Sequence, residues 1–290
     1  MATILSSTLS DADLAALLVH NAGNLALTMR SQDTQALRES ATEKNSVSDI
    51  VTAADLSAEL YVFEQLRRFR PDDSIVGEEG GGYTGTSGRT WVIDPVDGTY
   101  NFFSGSTYWC SALALCPATP DDAVSSATSD GTAALWDDEP LIGAIYQPQE
   151  DKLWLGGSSQ KTTLNGMPVG VDPRAEIGQL SAGTYLHPTW FAGEKAGTPW
   201  RNAAQLPATL RMLGSGSCDL ARVAQGELGV WFQHSCPAWD WLPGKAIVRA
   251  AGGETGVVRV NGLDWFVAGP AEAVAAIMAA LAAGTTVDPH

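Results

Sequence analysis

The sequence is poor in positive charge and in cysteine. Its 290 residues contain 17 Lys and Arg against 33 Asp and Glu, which gives a formal net charge of −16 at pH 7. A field of that sign repels nucleic acid and anionic membranes, and no basic run offsets it, so we expect neither as a partner. The four cysteines form no CxxC pair. Their spacing excludes a zinc-type site and favours buried, reduced thiols in a cytoplasmic protein.

Targeting features and long apolar runs are also missing. The N-terminus has no basic region followed by a cleavage site, and no segment approaches the length of a membrane span. Since 44% of the residues are hydrophobic, the chain can still bury a large core. We expect one domain over 1–290, with an α+β half over about 1–160 and an α/β half over about 161–290. The acidic stretch 120–140 is predicted to be an exposed loop or insertion.

Hydrophobic periodicity predicts a mixture of helices and strands. An amphipathic helix follows Ser10, and a second helix over 55–68 is expected to turn Leu56, Leu60, Phe63 and Leu66 inward. Short apolar segments predict a mainly antiparallel sheet from strands at 75–76, 91–93, 108–115, 141–146 and 152–155. The second half adds strands at 180–183 and 211–213 and helices at 218–225 and 271–283. The fold class is therefore α+β, with helices layered on sheets.

The most informative segment is W-V-I-D-P-V-D-G-T over 91–99. It places Asp94 and Asp97 at the end of an apolar strand. Pro95 fixes its own φ and biases Asp94 toward an extended conformation, while Gly98 allows the chain to turn away. Two carboxylates on one rigid turn predict a metal site.

Two further acidic elements strengthen that prediction. Glu78 and Glu79 follow the apolar pair at 75–76, and because neighbouring strand residues face opposite sides, we predict Glu78 as the ligand. Asp240 stands between Trp239 and Trp241 at a predicted helix start. Carboxylates without a His or Cys cluster favour a hard cation such as Mg²⁺.

These motifs together resemble the inositol monophosphatase family of metal-dependent, lithium-sensitive phosphomonoesterases. The family's G-E-E element matches 77–79, its W-[IV]-[IV]-D-P-[IV]-D-G-T element matches 91–99, and its late W-D matches 239–240. A fourth element, K-x(4)-D-x-V-T-x-x-D, runs from Lys44 to Asp55. The resemblance implies a layered αβαβα sandwich and a homodimer.

The resemblance also implies the site residues. Two or three Mg²⁺ ions, with Mn²⁺ as an alternative, would be held by Glu78, Asp94, the carbonyl of Val96, Asp97 and Asp240. Glu78 and a hydrogen-bonded pair of Asp55 and Thr99 would activate the attacking water. Substrate would contact Asp97, Gly98, Thr99, Gly214, Ser215, Gly216, Gln233 and Asp240.

The substrate is less sharply defined. Where the family's animal enzymes carry a Glu that binds inositol hydroxyls, this chain has Gln233, yet inositol 1-phosphate remains the first candidate. Histidinol phosphate would need a carboxylate for its ammonium group, such as Asp219 or Glu227. Fructose 1,6-bisphosphate and 3′-phosphoadenosine 5′-phosphate would need a cation for their second phosphate, and near the matched motifs the candidates are Arg211, Arg222 and Lys44. Of these, Lys44 is expected to balance the acidic metal cluster instead. A catalytically silent, metal-binding regulator is the alternative from a different class.

Overall fold

The computed structural model describes residues 9–32, 34–46, 49–117, 139–174 and 176–283. Most of the predicted acidic loop at 120–140 thus lies outside the described residues. The helices are α1 (Asp11–Gln32), α2 (Thr34–Glu39), α3 (Ala53–Phe69), α4 (Thr99–Ser104), α5 (Gly197–Ala204), α6 (Gly216–Ala224), α7 (Ala238–Ala250) and α8 (Ala271–Ala282). The strands are β1 (Thr42–Ser46), β2 (Asp49–Val51), β3 (Ser74–Gly77), β4 (Gly82–Tyr83), β5 (Thr90–Asp97), β6 (Cys110–Cys116), β7 (Ile142–Gln147), β8 (Lys152–Gly157), β9 (Gln160–Leu164), β10 (Met167–Pro168), β11 (Ser181–Thr184), β12 (Thr209–Arg211), β13 (Val230–His234), β14 (Glu254–Val260) and β15 (Leu263–Gly269).

The first large sheet has eight strands in the order β10-β9-β8-β7-β6-β5-β3-β4. All of its pairs are antiparallel except β3 with β5. Its central strands β5, β6 and β7 are buried along their whole length because helices cover both faces. The predicted, mainly antiparallel sheet is confirmed.

The second large sheet has five strands in the order β12-β11-β13-β15-β14. Here β11 pairs in parallel with both β12 and β13, so the carboxyl ends of these three strands lie at one edge. The predicted strand at 211–213 is correct only for Arg211. Met212 and Leu213 leave the sheet and line a cavity at that edge.

Five layers result from the stacking of helices on these sheets. Helices α1 and α3 pack on the outer face of the first sheet, α6 and α7 contact both sheets, and α8 packs on the outer face of the second with α5 beside it. This arrangement confirms the predicted αβαβα sandwich. All four cysteines are free and buried. No helix in the described ranges is both long and apolar enough to cross a bilayer.

Helices α1 and α3 begin at side-chain caps. The Ser10 hydroxyl accepts a hydrogen bond from the Asp13 amide at 3.1 Å, and Thr52 and Asp55 form a capping box at the start of α3. The predicted inward face of α3 is partly wrong, because Leu56 and Leu60 are 52% and 58% exposed. The helix instead buries Ala54, Asp55, Ala58, Glu59, Val62 and Leu66.

Candidate active site

An irregularity in β5 brings its two aspartates to the same cavity. Residues three apart on a regular strand point to opposite faces, but the pairing register with β6 shifts between Asp94 and Asp97. The Val96 amide donates to Asp94 Oδ1 at 3.0 Å, and the Ser111 hydroxyl donates to the Pro95 carbonyl at 2.5 Å. These bonds hold the bulge that aims both carboxylates the same way.

Asp240 completes a carboxylate cluster with these two residues. Carboxylate oxygens of Asp94, Asp97 and Asp240 lie within 4.8 Å of one another. Asp240 is the third residue of α7, and the adjacent Trp241 is buried. Glu78 lines the same cavity and hydrogen-bonds with the Asp94 carboxyl group.

Burial raises the pKa of Asp94 well above its usual range, and the nearby charges of Glu78, Asp97 and Asp240 raise it further. Burial likewise raises the pKa of Asp97, although hydrogen bonds from α6, including one from the Ser217 amide at 2.5 Å, oppose that shift. None of the described residues that line the cavity is a Lys or Arg. A cluster of hard oxygen donors without a protein cation fits Mg²⁺.

Glu59 holds the loop that carries Glu78. This buried residue of α3 accepts hydrogen bonds from the amides of Glu79 and Gly81, each at 2.8 Å. Sequence reasoning did not find Glu59, although its position four residues after Asp55 puts both carboxylates on one face of the helix. Its place beneath the loop makes it a positioning residue.

Asp55, in the first turn of α3, lies beside Thr99, the first residue of α4. The Thr99 hydroxyl oxygen is 3.1 Å from Asp55 Oδ1 and 3.0 Å from the Val96 carbonyl oxygen. Asp55 also accepts hydrogen bonds from the Thr52 amide and hydroxyl. Burial raises the pKa of Asp55 to about 6, against the effect of these bonds. Thr99 lines the cavity, whereas Asp55 is buried behind it.

The predicted substrate residues also line this cavity. Gly98 has a φ of +91°, and a Cβ there would lie 3.1 Å from the Ser215 Cβ and 3.2 Å from the Gly214 carbonyl oxygen. Glycine therefore lets the turn after β5 pack against the start of α6. Gln233 reaches the cavity from β13. The full predicted set that lines it is Asp97, Gly98, Thr99, Gly214, Ser215, Gly216, Gln233 and Asp240.

The candidate partners for charged substrate groups lie in different places. Asp219 lines the cavity and accepts a hydrogen bond from the Tyr108 hydroxyl at 2.5 Å. Glu227 is exposed and forms an ion pair with Arg222 at 3.4 Å. Arg222 is buried and donates to Gln147 and Glu150.

Neither arginine side chain forms part of the cavity lining. Arg211 is exposed and donates to Thr209 and to the Leu210 carbonyl. Both Arg211 and Arg222 are absent from the cavity lining. The Lys44 side chain lies outside the described part of the structure.

The outer cavity wall contains residues that sequence reasoning missed. It includes Tyr100, Asn101, Tyr185, His187, Pro188, Met212 and Leu213. Only Tyr100 and Asn101 adjoin a recognisable motif. The others lie in loops after β11 and β12, where no local pattern marks them.

Comparison with known proteins identifies the family. The sequence profile of the inositol monophosphatase family matches residues 10–286. Inositol-1-monophosphatase of a Synechocystis species is 30% identical over 77% of this chain and 71% of its own length. Inositol monophosphatase 1 of Solanum lycopersicum is 32% identical over 71% of each chain.

Solved structures agree on the fold. The extragenic suppressor protein SuhB of Bartonella henselae superposes with a TM-score of 0.77 at 24% identity, covering 93% of this chain and 98% of its own. At that identity the likeness establishes the fold alone. Together with the family profile and the two sequence relatives, it shows that the chain belongs to the inositol monophosphatase family of phosphoric monoester hydrolases.

Proposed function

We propose that the protein is a Mg²⁺-dependent phosphomonoesterase that uses water as the nucleophile, with inositol 1-phosphate as the first substrate to consider. The observation that carries the proposal is the carboxylate cluster, whose oxygens lie within 4.8 Å of one another in a cavity that no described Lys or Arg lines. A dianionic phosphate could not bind beside these carboxylates without a cation between them. The intact cluster also argues against a catalytically silent regulator.

Different residues of the chain would bind the metal ions and activate the attacking water. Glu78, Asp94, the Val96 carbonyl, Asp97 and Asp240 would hold two or three Mg²⁺ ions, with Mn²⁺ as an alternative. Bound there, the ions would supply Lewis-acid activation of water and neutralise charge on the phosphoryl oxygens. Glu78 is suited to accept the proton of the attacking water, while Thr99, held by Asp55, orients that water.

The cavity favours an ester with one phosphate and an uncharged alcohol. A second phosphate would find no Lys or Arg among the described lining residues, which disfavours fructose 1,6-bisphosphate and 3′-phosphoadenosine 5′-phosphate. An ammonium group such as that of histidinol would meet the neutral Gln233. Asp219 already accepts the Tyr108 hydroxyl, and Glu227 does not line the cavity.

Three further expectations stay predictions: the oligomeric state, the division into domains and the cellular location. The family resemblance predicts a homodimer, and the chain length predicts one domain of two halves. Four free, buried cysteines fit a reducing cytoplasm.

The test measures phosphate release from the four esters with Mg²⁺, with and without EDTA. Two variants accompany the wild type: Asp97→Asn, which changes a proposed ligand, and Asp72→Asn, which changes an exposed carboxylate outside the cavity. We expect EDTA-sensitive release, greatest with inositol 1-phosphate, that Asp72→Asn retains and Asp97→Asn lowers by at least about 10³-fold. Near-normal activity in Asp97→Asn would contradict the assignment of Asp97 as a metal ligand. Silence of the wild type on all four esters would contradict the proposed function.

A further inference from the structure

The mouth of the active-site cavity carries a cluster of large hydrophobic side chains beside the polar Asn101 and His187. Eight large hydrophobic residues of the described chain remain exposed, and four of them line this one cavity: Tyr100, Tyr185, Met212 and Leu213, at 36–49% exposure. Such clustering differs from scattered surface hydrophobics and marks a surface that binds something apolar.

The topology of the second sheet explains how these side chains meet. Tyr185 follows β11, and Met212 and Leu213 follow β12. Because the two strands are parallel neighbours, both loops leave the sheet at the same edge. Small ligands commonly bind at that edge of open α/β sheets.

The opposite wall is tied to these loops by a side chain. Asn101, next to Tyr100 in α4, donates from Nδ2 to the Leu213 carbonyl at 2.7 Å and to the Tyr108 carbonyl at 2.8 Å. The two walls of the mouth are therefore linked before any ligand arrives. A preformed site loses less conformational entropy on binding than a mobile one.

The cavity lining combines the carboxylates with these large hydrophobic side chains. Its volume of about 690 Å³ falls within the range of roughly 300–1,000 Å³ typical of small-molecule sites. With the phosphate at the carboxylate end, a bare polyol would leave Tyr185 and Met212 in contact with water. A ring attached to the alcohol would cover them, since aromatic faces and methionine both pack well against flat apolar groups.

We infer that the mouth is a second subsite, formed by Tyr100, Tyr185, Met212 and Leu213, for an uncharged aromatic or flat apolar ring carried by the phosphorylated alcohol. The inference rests on the proposed function for the phosphate end of the ligand. It adds a class of esters that the carboxylate cluster alone does not select.

Two matched pairs of compounds test the subsite. The first is 2-phenylethyl phosphate against ethyl phosphate, whose leaving alcohols are similar and which differ by the ring. The second is 3-phenylpropylphosphonate against propylphosphonate, which cannot be hydrolysed and report binding alone. The measurements are kcat/KM for the esters and Kd by calorimetry for the phosphonates, all with Mg²⁺.

We expect the ring to improve both kcat/KM and Kd by about tenfold, in keeping with the contribution of one stacked ring. Tyr185→Ala and Met212→Ala should each remove most of that advantage while leaving the ring-free compounds within about twofold, whereas Tyr185→Phe should retain it. Met167→Ala is the matched control, because Met167 is exposed on β10 and does not line the cavity.

Equal Kd values for the two phosphonates, or a ring advantage that survives both alanine variants, would overturn the inference. Failure of the proposed function looks different: the phosphonates would still show the ring preference, but no ester would be hydrolysed.

Discussion

The carboxyl carbon of Glu59 lies 2.5 Å from the position that a Cβ of Gly77 would occupy. The absence of a side chain at Gly77 therefore admits the carboxylate that holds the Glu79 and Gly81 amides. Glu78 lies between Gly77 and Glu79, so its position depends on a contact between α3 and the end of β3 that involves no residue of the carboxylate cluster.

Replacing Glu59 tests this dependence. Gln offers one acceptor oxygen where Glu59 uses two, and its amide group would face an N–H donor. We expect Glu59→Gln to raise the Mg²⁺ concentration for half-maximal activity by about tenfold, as for other residues that support metal ligands. Glu64→Gln, at an exposed position of the same helix, should leave it unchanged. An unaltered Mg²⁺ requirement in Glu59→Gln would show that the position of the Glu78 loop does not depend on Glu59.

Thr99 is expected to act through its hydroxyl group. Thr99→Val keeps a similar shape and removes the hydrogen bond to Asp55, so kcat should fall by about 10²-fold, the typical contribution of a positioned proton-transfer group. Thr99→Ser should keep most of the activity. Mg²⁺ affinity, measured by calorimetry, should change little in either variant. Full activity of Thr99→Val would show that the hydrogen bond between Thr99 and Asp55 has only a structural role.

The buried Asp94 carboxylate is expected to destabilise the folded protein when no metal is bound. This carboxylate is buried beside other carboxylates, so in EDTA at pH 8 we expect Asp94→Asn to be more stable than wild type. At Mg²⁺ one hundred times its Kd, wild type should gain about 2.7 kcal/mol and the variant much less. Urea unfolding with EDTA and with Mg²⁺ gives both values. An equal Mg²⁺ gain in the two proteins would contradict the assignment of Asp94 as a ligand.

His234 should make the fold sensitive to acid. Its ring packs against Trp190 and Trp265 with centroids 5.5 and 5.0 Å away, and burial lowers its pKa from 6.5 to about 4. Between those values the unfolded chain binds more protons than the folded chain, so this group's contribution to stability is present above pH 6.5 and is lost as pH falls toward 4.

The full shift corresponds to about 3 kcal/mol, and partial exposure of the ring reduces the expected loss to about 1–2 kcal/mol. His234→Phe keeps an aromatic ring and cannot titrate. We expect urea unfolding to show a smaller fall in stability between pH 7 and pH 5 for this variant than for wild type. Parallel pH profiles would mean that folding does not lower the pKa of His234.

The carboxylate motifs could be predicted from sequence because each one ends a recognisable element. Pro95 between Asp94 and Asp97 even signals the break in β5 that aims both residues the same way. Leu56 and Leu60 of α3 show where prediction from hydrophobic periodicity fails. Periodicity places Leu56 and Leu60 inside, but Asp55 and Glu59 take the buried face because hydrogen bonds from Thr52, Thr99 and two loop amides compensate their burial.

The outer wall of the cavity could not be predicted beyond Tyr100 and Asn101, which adjoin the motif at 91–99. Tyr185 and Met212 are 27 positions apart in loops without a motif. Their proximity depends on the parallel pairing of β11 with β12, which follows from the whole sheet. Local sequence patterns do not predict such long-range strand pairing.

The wholly acidic charge of the described cavity lining has a thermodynamic consequence. If the proposed function holds, a cation bound there would lower the repulsion that a phosphate meets, and a bound phosphate would stabilise the cations. By reciprocity, substrate would tighten Mg²⁺ binding by the same factor by which Mg²⁺ tightens substrate binding. Metal retention between turnovers would then depend on product concentration.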